Sequence, residues 1–126
     1  MAGSRITRVA TAGIPVTDQD RALEFYVGVL GFEKVLDGPF GDGARWIEVA
    51  PPGATTTVAL IATKEPQTRS IDAALRYATE DADADHARLK ELGSDVDEEM
   101  MRWEGVPPMF TLRDPDGNIL VLVERE

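Results

Sequence analysis

The sequence predicts an α+β fold in which two tandem βαβββ modules form one pseudo-symmetric curved sheet with a central cleft. Three observations carry that expectation. Val16-Thr17-Asp18-Gln19-Asp20 opens a helical stretch running to Leu30-Gly31, and Thr79-Glu80-Asp81-Ala82-Asp83 opens a second running to Leu92-Gly93. Asp18 and Asp81 stand 63 positions apart, half of the 126 residues. Each helical stretch follows a short apolar strand-like run and precedes further strands. The chain is read as a single domain over residues 1–126, with module 1 at about 6–62 and module 2 at about 72–126.

Taken in order, Met1 to Arg5 reads as a loose end. Val9 to Val16 reads as a strand, with Ala10, Ala12, Ile14 and Val16 on one face and Val9, Thr11, Gly13 and Pro15 on the other. Thr17 or Asp18 caps the first helix, because a short side-chain oxygen can accept from the first free amides. Ala22, Phe25, Tyr26, Val29 and Leu30 fall at helical spacing and form its buried stripe. Tyr26 belongs to that packing and not to catalysis. Gly31 suits the left-handed position that ends the helix. Phe32 to Asp37 is the second strand, and Gly38 to Gly43 is a turn whose glycines are too irregular to cradle a phosphate.

Arg45 to Val49 and Thr57 to Ile61 form a hairpin across Pro51-Pro52-Gly53-Ala54. Thr63 to Ile71 is a polar linker. Ala73 to Thr79 opens the second module. The helix Asp81 to Leu92 follows, with Ala84, Ala87, Leu89 and Leu92 among its apolar positions. Val96 to Met101, Met109 to Arg113 and Ile119 to Val123 are the last strands. Asp114-Pro-Asp-Gly-Asn118 makes a tight turn between the final two.

Composition narrows the partners. The net charge is −10, from 13 basic and 23 acidic residues. That balance argues against nucleic acid and against anionic membrane surfaces, since both need a basic face. No apolar run is long enough to span a bilayer, and the N-terminus lacks the apolar stretch of a signal peptide. There is no cysteine, hence no disulfide framework and no thiolate metal site. The expected compartment is the cytoplasm.

The stretches VTDQDRALEFYVGVLGFEKV, DADADHARLKELG and FTLRDPDGNILVLVE carry a family resemblance. Together with the duplication, the chain resembles the vicinal oxygen chelate superfamily, the glyoxalase, bleomycin-resistance and extradiol dioxygenase group. That superfamily includes lyases, dioxygenases, epimerases, thiol transferases and binding proteins without catalysis, so the fold does not name the function. In the family's enzymes a divalent metal is held by His, Glu or Gln at four symmetric positions. The resemblance puts those positions at Thr11, Ala59, Ala74 and Val121. They offer one hydroxyl and no strong ligand, so no metal and no other cofactor is expected. The one histidine, His86, lies in the second helix beside alternating acids and is expected to be solvated or half-buried.

Strand alternation predicts the cleft lining. Module 1 supplies Thr11, Gly13, Trp46, Glu48, Thr57, Ala59 and Ile61. Module 2 supplies Arg76, Met109, Thr111, Ile119, Val121 and Val123, with Met101 and Trp103 near the open end. From these, Thr11, Trp46, Glu48, Ala59, Arg76, Trp103, Met109, Thr111 and Val121 are the candidate ligand-binding residues. The tryptophans either stack on a planar ligand, fill the cleft, or lie at a subunit contact. Arg76 either holds a ligand carboxylate or pairs with Glu48. Asp95 to Glu99 reads as a solvated face with Val96 turned inward, and Met100-Met101 as flexible packing. No Ser-His-Asp arrangement is readable.

The function expected is metal-free binding of an apolar or aromatic small molecule. The alternative is a lyase or dioxygenase-like enzyme, with a displaced metal or with acid-base chemistry by Glu48 and Arg76. A third reading is a structural or regulatory dimer whose cleft is vestigial. A homodimer is expected because the sheet leaves strand edges to cover.

Overall fold

The computed structural model describes residues 3–41, 43–67 and 69–125. Met1 and Ala2 of the expected loose end, Asp42 of the expected turn and Thr68 of the expected linker lie outside that set. Two compact units result, one running to Lys64 and the other beginning at Glu65. Each is taken in turn.

The first unit contains strands β1 (Thr11–Val16), β2 (Glu33–Pro39), β3 (Arg45–Ala50) and β4 (Thr57–Ala62). Helix α1 follows β1 as an α-helix over Gln19–Leu23 and continues as a π-helix over Glu24–Val29. The sheet order is β1-β4-β3-β2, with β1 parallel to β4 and the other pairs antiparallel. Asp18 caps α1 from an extended backbone, its Oδ1 accepting from the Arg21 amide at 3.0 Å. Gln19 then clamps the helix start to the sheet. Its Nε2 donates to the carbonyls of Arg45 at 2.7 Å and Leu60 at 2.9 Å, and its Oε1 accepts from the Arg45 amide at 3.2 Å.

Sequence spacing leads one to expect an uninterrupted α-helical stripe here, and the structure differs. The Leu30 amide donates to the Phe25 carbonyl, five residues back, at 2.9 Å. The wider turn lets two consecutive aromatic residues, Phe25 and Tyr26, both be buried, their rings edge-on at 5.1 Å. Ala22 is buried with them, while Val29 and Leu30 are only half-buried. Gly31 ends the helix at φ +81°. The first strand is also shorter than expected. Val9 and Ala10 stay outside it, although Thr56 Oγ1 donates to the Val9 carbonyl and the Thr57 amide to that of Ala10. The core lies between α1 and the sheet, where Ile14, Val16, Ile47, Val49, Val58 and Leu60 are buried.

The second unit begins with a 3-10 turn at Ile71–Ala73, which delays β5 to Leu75–Thr79. Helix α2 (Ala82–Glu91) and strands β6 (Asp95–Val96), β7 (Met101–Trp103), β8 (Val106–Arg113) and β9 (Ile119–Glu124) follow. The order is β5-β9-β8-β6, with β7 also pairing to β8 and β5 parallel to β9. The expected single strand from Val96 to Met101 is therefore broken into β6 and β7. The intervening acidic residues are drawn elsewhere. The Asp97 carbonyl accepts from His86 Nε2 at 2.7 Å, Asp97 Oδ1 from Arg113 at 2.5 Å, and Glu98 from Lys90 at 2.5 Å.

Helix α2 starts where the sequence puts it, with Asp81 Oδ1 accepting from the Ala84 amide. It ends in a Schellman arrangement in which Ser94 donates to the Leu89 carbonyl and Gly93, at φ +78°, to that of Lys90. Its buried face departs from expectation. Ala84, Ala87 and Leu92 are exposed, and the buried residues are Ala82 and Leu89. Half-buried His86 shares that face, its ring edge-on to Phe110 at 5.1 Å. Alanines bury too little area to set a helix's rotation, so the larger Leu89 and His86 decide it.

The turn after β8 is as expected. Buried Asp114 accepts from the Asp116 and Asn118 amides and from Asn118 Nδ2, each at 2.9 Å. Gly117 adopts φ +85°. These three donors converge on one carboxylate, which compensates its burial.

Candidate functional site

In both units the helix covers one face of the sheet, and the candidate residues occupy the other. On β3 of the first unit, Ile47 and Val49 face the core, so Trp46 and Glu48 point to the far face. Register puts Ala59 beside both Glu48 and Gly13, and Thr57 beside Thr11. Thr11, Trp46, Glu48 and Ala59 are thus brought onto one surface, as sequence alternation predicts. Arg76, Met109, Thr111 and Val121 lie on the far face of the second unit, where register pairs Val121 with both Arg76 and Thr111.

Glu48 is the organising group of the first surface. Its Oε2 accepts from Trp46 Nε1 at 2.8 Å and its Oε1 from Thr57 Oγ1 at 2.6 Å. These bonds, the one from Thr57 foremost, hold the carboxyl below the usual carboxylate range, against a desolvation effect that raises it. The two donors also fix the indole and the carboxylate relative to each other. Among the described residues of the first unit no lysine or arginine pairs with Glu48.

Around this network lies an apolar rim. The Phe40 and Trp46 rings stand 5.4 Å apart at 58°. Leu36 sits opposite Glu48 on β2, and Ile61 lies two residues beyond Ala59 on β4. Phe40, Leu36 and Ile61 are exposed at 60%, 50% and 40%. Gly13 makes room for Ile61, since a Cβ at residue 13 would come within 2.7 Å of its Cδ1. Thr11 Oγ1 is buried without a hydrogen-bond partner among the described residues, a spare polar group beside the network.

Leu36 and Phe40 were absent from the sequence-derived lining. Phe40 sits in a Gly/Pro run that reads only as a turn. The available signal was that an aromatic residue so near Trp46 in sequence would meet it once the intervening chain folded back, as the Phe40 amide does on the Ala44 carbonyl.

One nitrogen of Arg76 is drawn to its own backbone. Its Nη1 donates to the carbonyls of Ala74 at 2.8 Å, Ile71 at 3.3 Å and Asp72 at 3.4 Å, so the guanidinium stitches its own 3-10 turn. Trp103 is 59% exposed on β7, beside the Gly105 turn. The rest of this face is apolar: Ala74, Val121 and Val123 are buried together, with Met109 and Ile119 packed against them. Thr111 Oγ1 is buried among them with no hydrogen-bond partner among the described residues.

The four positions where the resemblance puts metal ligands can be tested by their chemistry. Val121 takes the same two strand neighbours in the second unit that Ala59 takes in the first, which supports the correspondence. Ala59, Ala74 and Val121 are buried apolar side chains with no donor atom. Thr11 adds one neutral hydroxyl. No group of three or more His, Cys, Asp or Glu comes together among the described residues. This donor set does not fit a divalent transition metal, which needs imidazole, carboxylate or thiolate ligands in number.

An open groove of about 590 Å³ also lies in the first unit, between Thr17–Asp20, Gly43–Arg45 and Ala62–Lys64. Its principal cation is already engaged, since Arg45 bonds Asp20 at 2.8 Å and Asp37 at 3.1 Å. Its lining lacks the aromatic and apolar groups of the Glu48 surface, which remains the better candidate.

Comparison with known proteins agrees with this architecture. The family model described as Glyoxalase/Bleomycin resistance protein/Dioxygenase superfamily matches residues 5–122. The uncharacterized protein YetH of Bacillus subtilis (strain 168) is 30% identical over 122 residues, covering 94% of this chain and 99% of that protein. Among solved structures, TnmS3, an antibiotic binding protein from Streptomyces sp. CB03234, is 34% identical with a TM-score of 0.83, covering 98% of this chain and 100% of that one. A superfamily member from Sphaerobacter thermophilus DSM 20745 is 35% identical with a TM-score of 0.83, covering 95% of this chain and 98% of that one. The matched span, the two-unit strand connectivity and these likenesses agree: the chain belongs to the glyoxalase/bleomycin resistance protein/dioxygenase superfamily.

Proposed function

We propose that this protein binds an apolar or aromatic small molecule without a metal and without catalysing a reaction on it. The observation that carries the reading is the Trp46–Glu48–Thr57 network, which presents an oriented indole and one carboxylate within an apolar rim. Such a surface can stack on and orient a ligand. It is poorly equipped for chemistry: Glu48 is a lone carboxylate, held ionised by two donors, with no histidine or second carboxylate in its hydrogen-bonded network. The 34% identity to an antibiotic binding protein supports the same reading. Thr11 and Ala59 complete this surface. Arg76, Met109, Thr111 and Val121 belong to the corresponding face of the second unit, and Trp103 is exposed on β7 at its edge.

The metal-free part of the reading has a direct test. Protein purified without chelators is expected to carry far less than one Zn, Fe, Mn or Ni per chain by elemental analysis. About one metal per chain, lost on Glu48→Gln or His86→Ala, would contradict it and restore the enzyme reading.

The reading takes the protein as a cytoplasmic homodimer. Exposed Val35 on edge strand β2 supports the dimer, because an apolar edge invites a second copy. Sedimentation at micromolar concentration is expected to give twice the 13.7 kDa chain mass, and a monomer would contradict this part.

A further inference from the structure

We propose that the ligand is a cation: an aromatic or apolar molecule carrying a protonated amine or ring nitrogen that seats against Glu48. The inference rests on the binding reading above and adds the charge of the ligand to it.

A carboxylate offers about four lone-pair directions, and Glu48 uses one on each oxygen, both toward neutral donors. The remaining directions are unused. Trp46 and Thr57 hold the charge in place but do not cancel it, and no cationic side chain of the first unit does so among the described residues. Glu48 is half-buried already. A neutral apolar ligand lying on Trp46 would strip the remaining water from an ionised group and return nothing for it. A cation removes that penalty, because a charge-assisted bond replaces the lost hydration.

The aromatic rim favours the same charge. The faces of Trp46 and Phe40 are negative, and a cation above them is attracted. The chain's net charge of −10 draws cations in and repels anions at longer range. An anionic ligand would face Glu48 with no lysine or arginine of the first unit paired to that group. This surface therefore ranks ligands of one shape in the order cation, neutral, anion.

Three planar probes of similar size test the ranking: 9-aminoacridine, a cation at neutral pH; acridine, which is neutral; and acridine-9-carboxylate. Binding is read from the Trp46 indole N–H resonance, which reports directly on the bond to Glu48, with Trp103→Phe used to assign it. Titrations are run at neutral pH and low salt. The expected result is that 9-aminoacridine binds at least tenfold more tightly than acridine, and that the carboxylate does not bind. Glu48→Gln, which keeps an acceptor but loses the charge, is expected to abolish the preference. Glu80→Gln removes the same charge from an exposed site on the second unit and is expected to change nothing. Added salt is expected to narrow the preference in the wild type, a readout that needs no variant to fold.

Equal affinity for the cation and the neutral probe, with the Trp46 resonance shifted by both, would overturn the charge inference and leave the binding surface intact. A preference that survives Glu48→Gln would overturn it too, by assigning the effect to general acidity. No shift of Trp46 by any probe would overturn both the inference and the reading on which it rests.

Discussion

Phe110→Ala is expected to lower the unfolding free energy by about 3–5 kcal/mol, the usual cost of deleting a buried phenylalanine. Phe110 is fully buried at the centre of β8. Its ring receives the edge of His86 from α2, and on the sheet it is paired with Leu122. The removed ring leaves a cavity between helix and sheet that neither element can fill without leaving its register. Urea denaturation checks this: the midpoint should fall while the slope stays constant, which marks a change in stability and not in the denatured state. A loss near 1 kcal/mol or less would mean that α2 does not pack on β8 as described.

Trp46→Ala is expected to weaken ligand binding about tenfold or more, with little effect on the fold. Stacking and burial of an indole contribute roughly 1–3 kcal/mol. The substitution also frees Glu48 Oε2, so the carboxylate loses its fixed direction. Trp46→Phe should fall between the two, keeping a ring but not the donor. Trp103→Ala, at an exposed hairpin of the second unit, should have a smaller effect. Calorimetric titration of the variants with 9-aminoacridine checks the order. Unchanged affinity in Trp46→Ala would remove the indole from the site.

Much of this fold is legible in the sequence because its punctuation is local. Asp18 and Asp81 announce both helix starts through a hydrogen bond three residues ahead, and Gly31 and Gly93 announce both ends through positive φ. The turn at Asp114–Asn118 is readable for the same reason, since one carboxylate collects its own neighbours. What escaped depends on contacts distant in sequence. The rotation of α2 follows from Leu89 and His86 meeting β8 and β6, against which three exposed apolar residues carry no weight. The break between β6 and β7 follows from the pull of His86, Lys90 and Arg113 on Asp97 and Glu98. The π turn of α1 reflects two adjacent rings competing for one core.

The site divides in the same way. Alternation along β3 was enough to put Trp46 and Glu48 on one face with Ala59 and Thr57. The partners of Glu48 were not readable. A distant arginine is the obvious candidate in a sequence, whereas the structure uses an indole two residues away and a threonine on the adjacent strand. The bonds from Arg76 Nη1 to carbonyls of its own loop are likewise not registered by hydropathy.

The central claim is that the far face of the first unit, around Glu48, is where a small molecule binds. Mapping backbone amide shifts as 9-aminoacridine is titrated into isotope-labelled protein tests it most directly. The largest shifts are expected on Leu36, Phe40, Trp46 to Glu48, Thr57 and Ala59, together with the Trp46 indole N–H. Shifts confined to the groove around Asp18, Arg45 and Lys64, or to the exposed surface of α2, would contradict it.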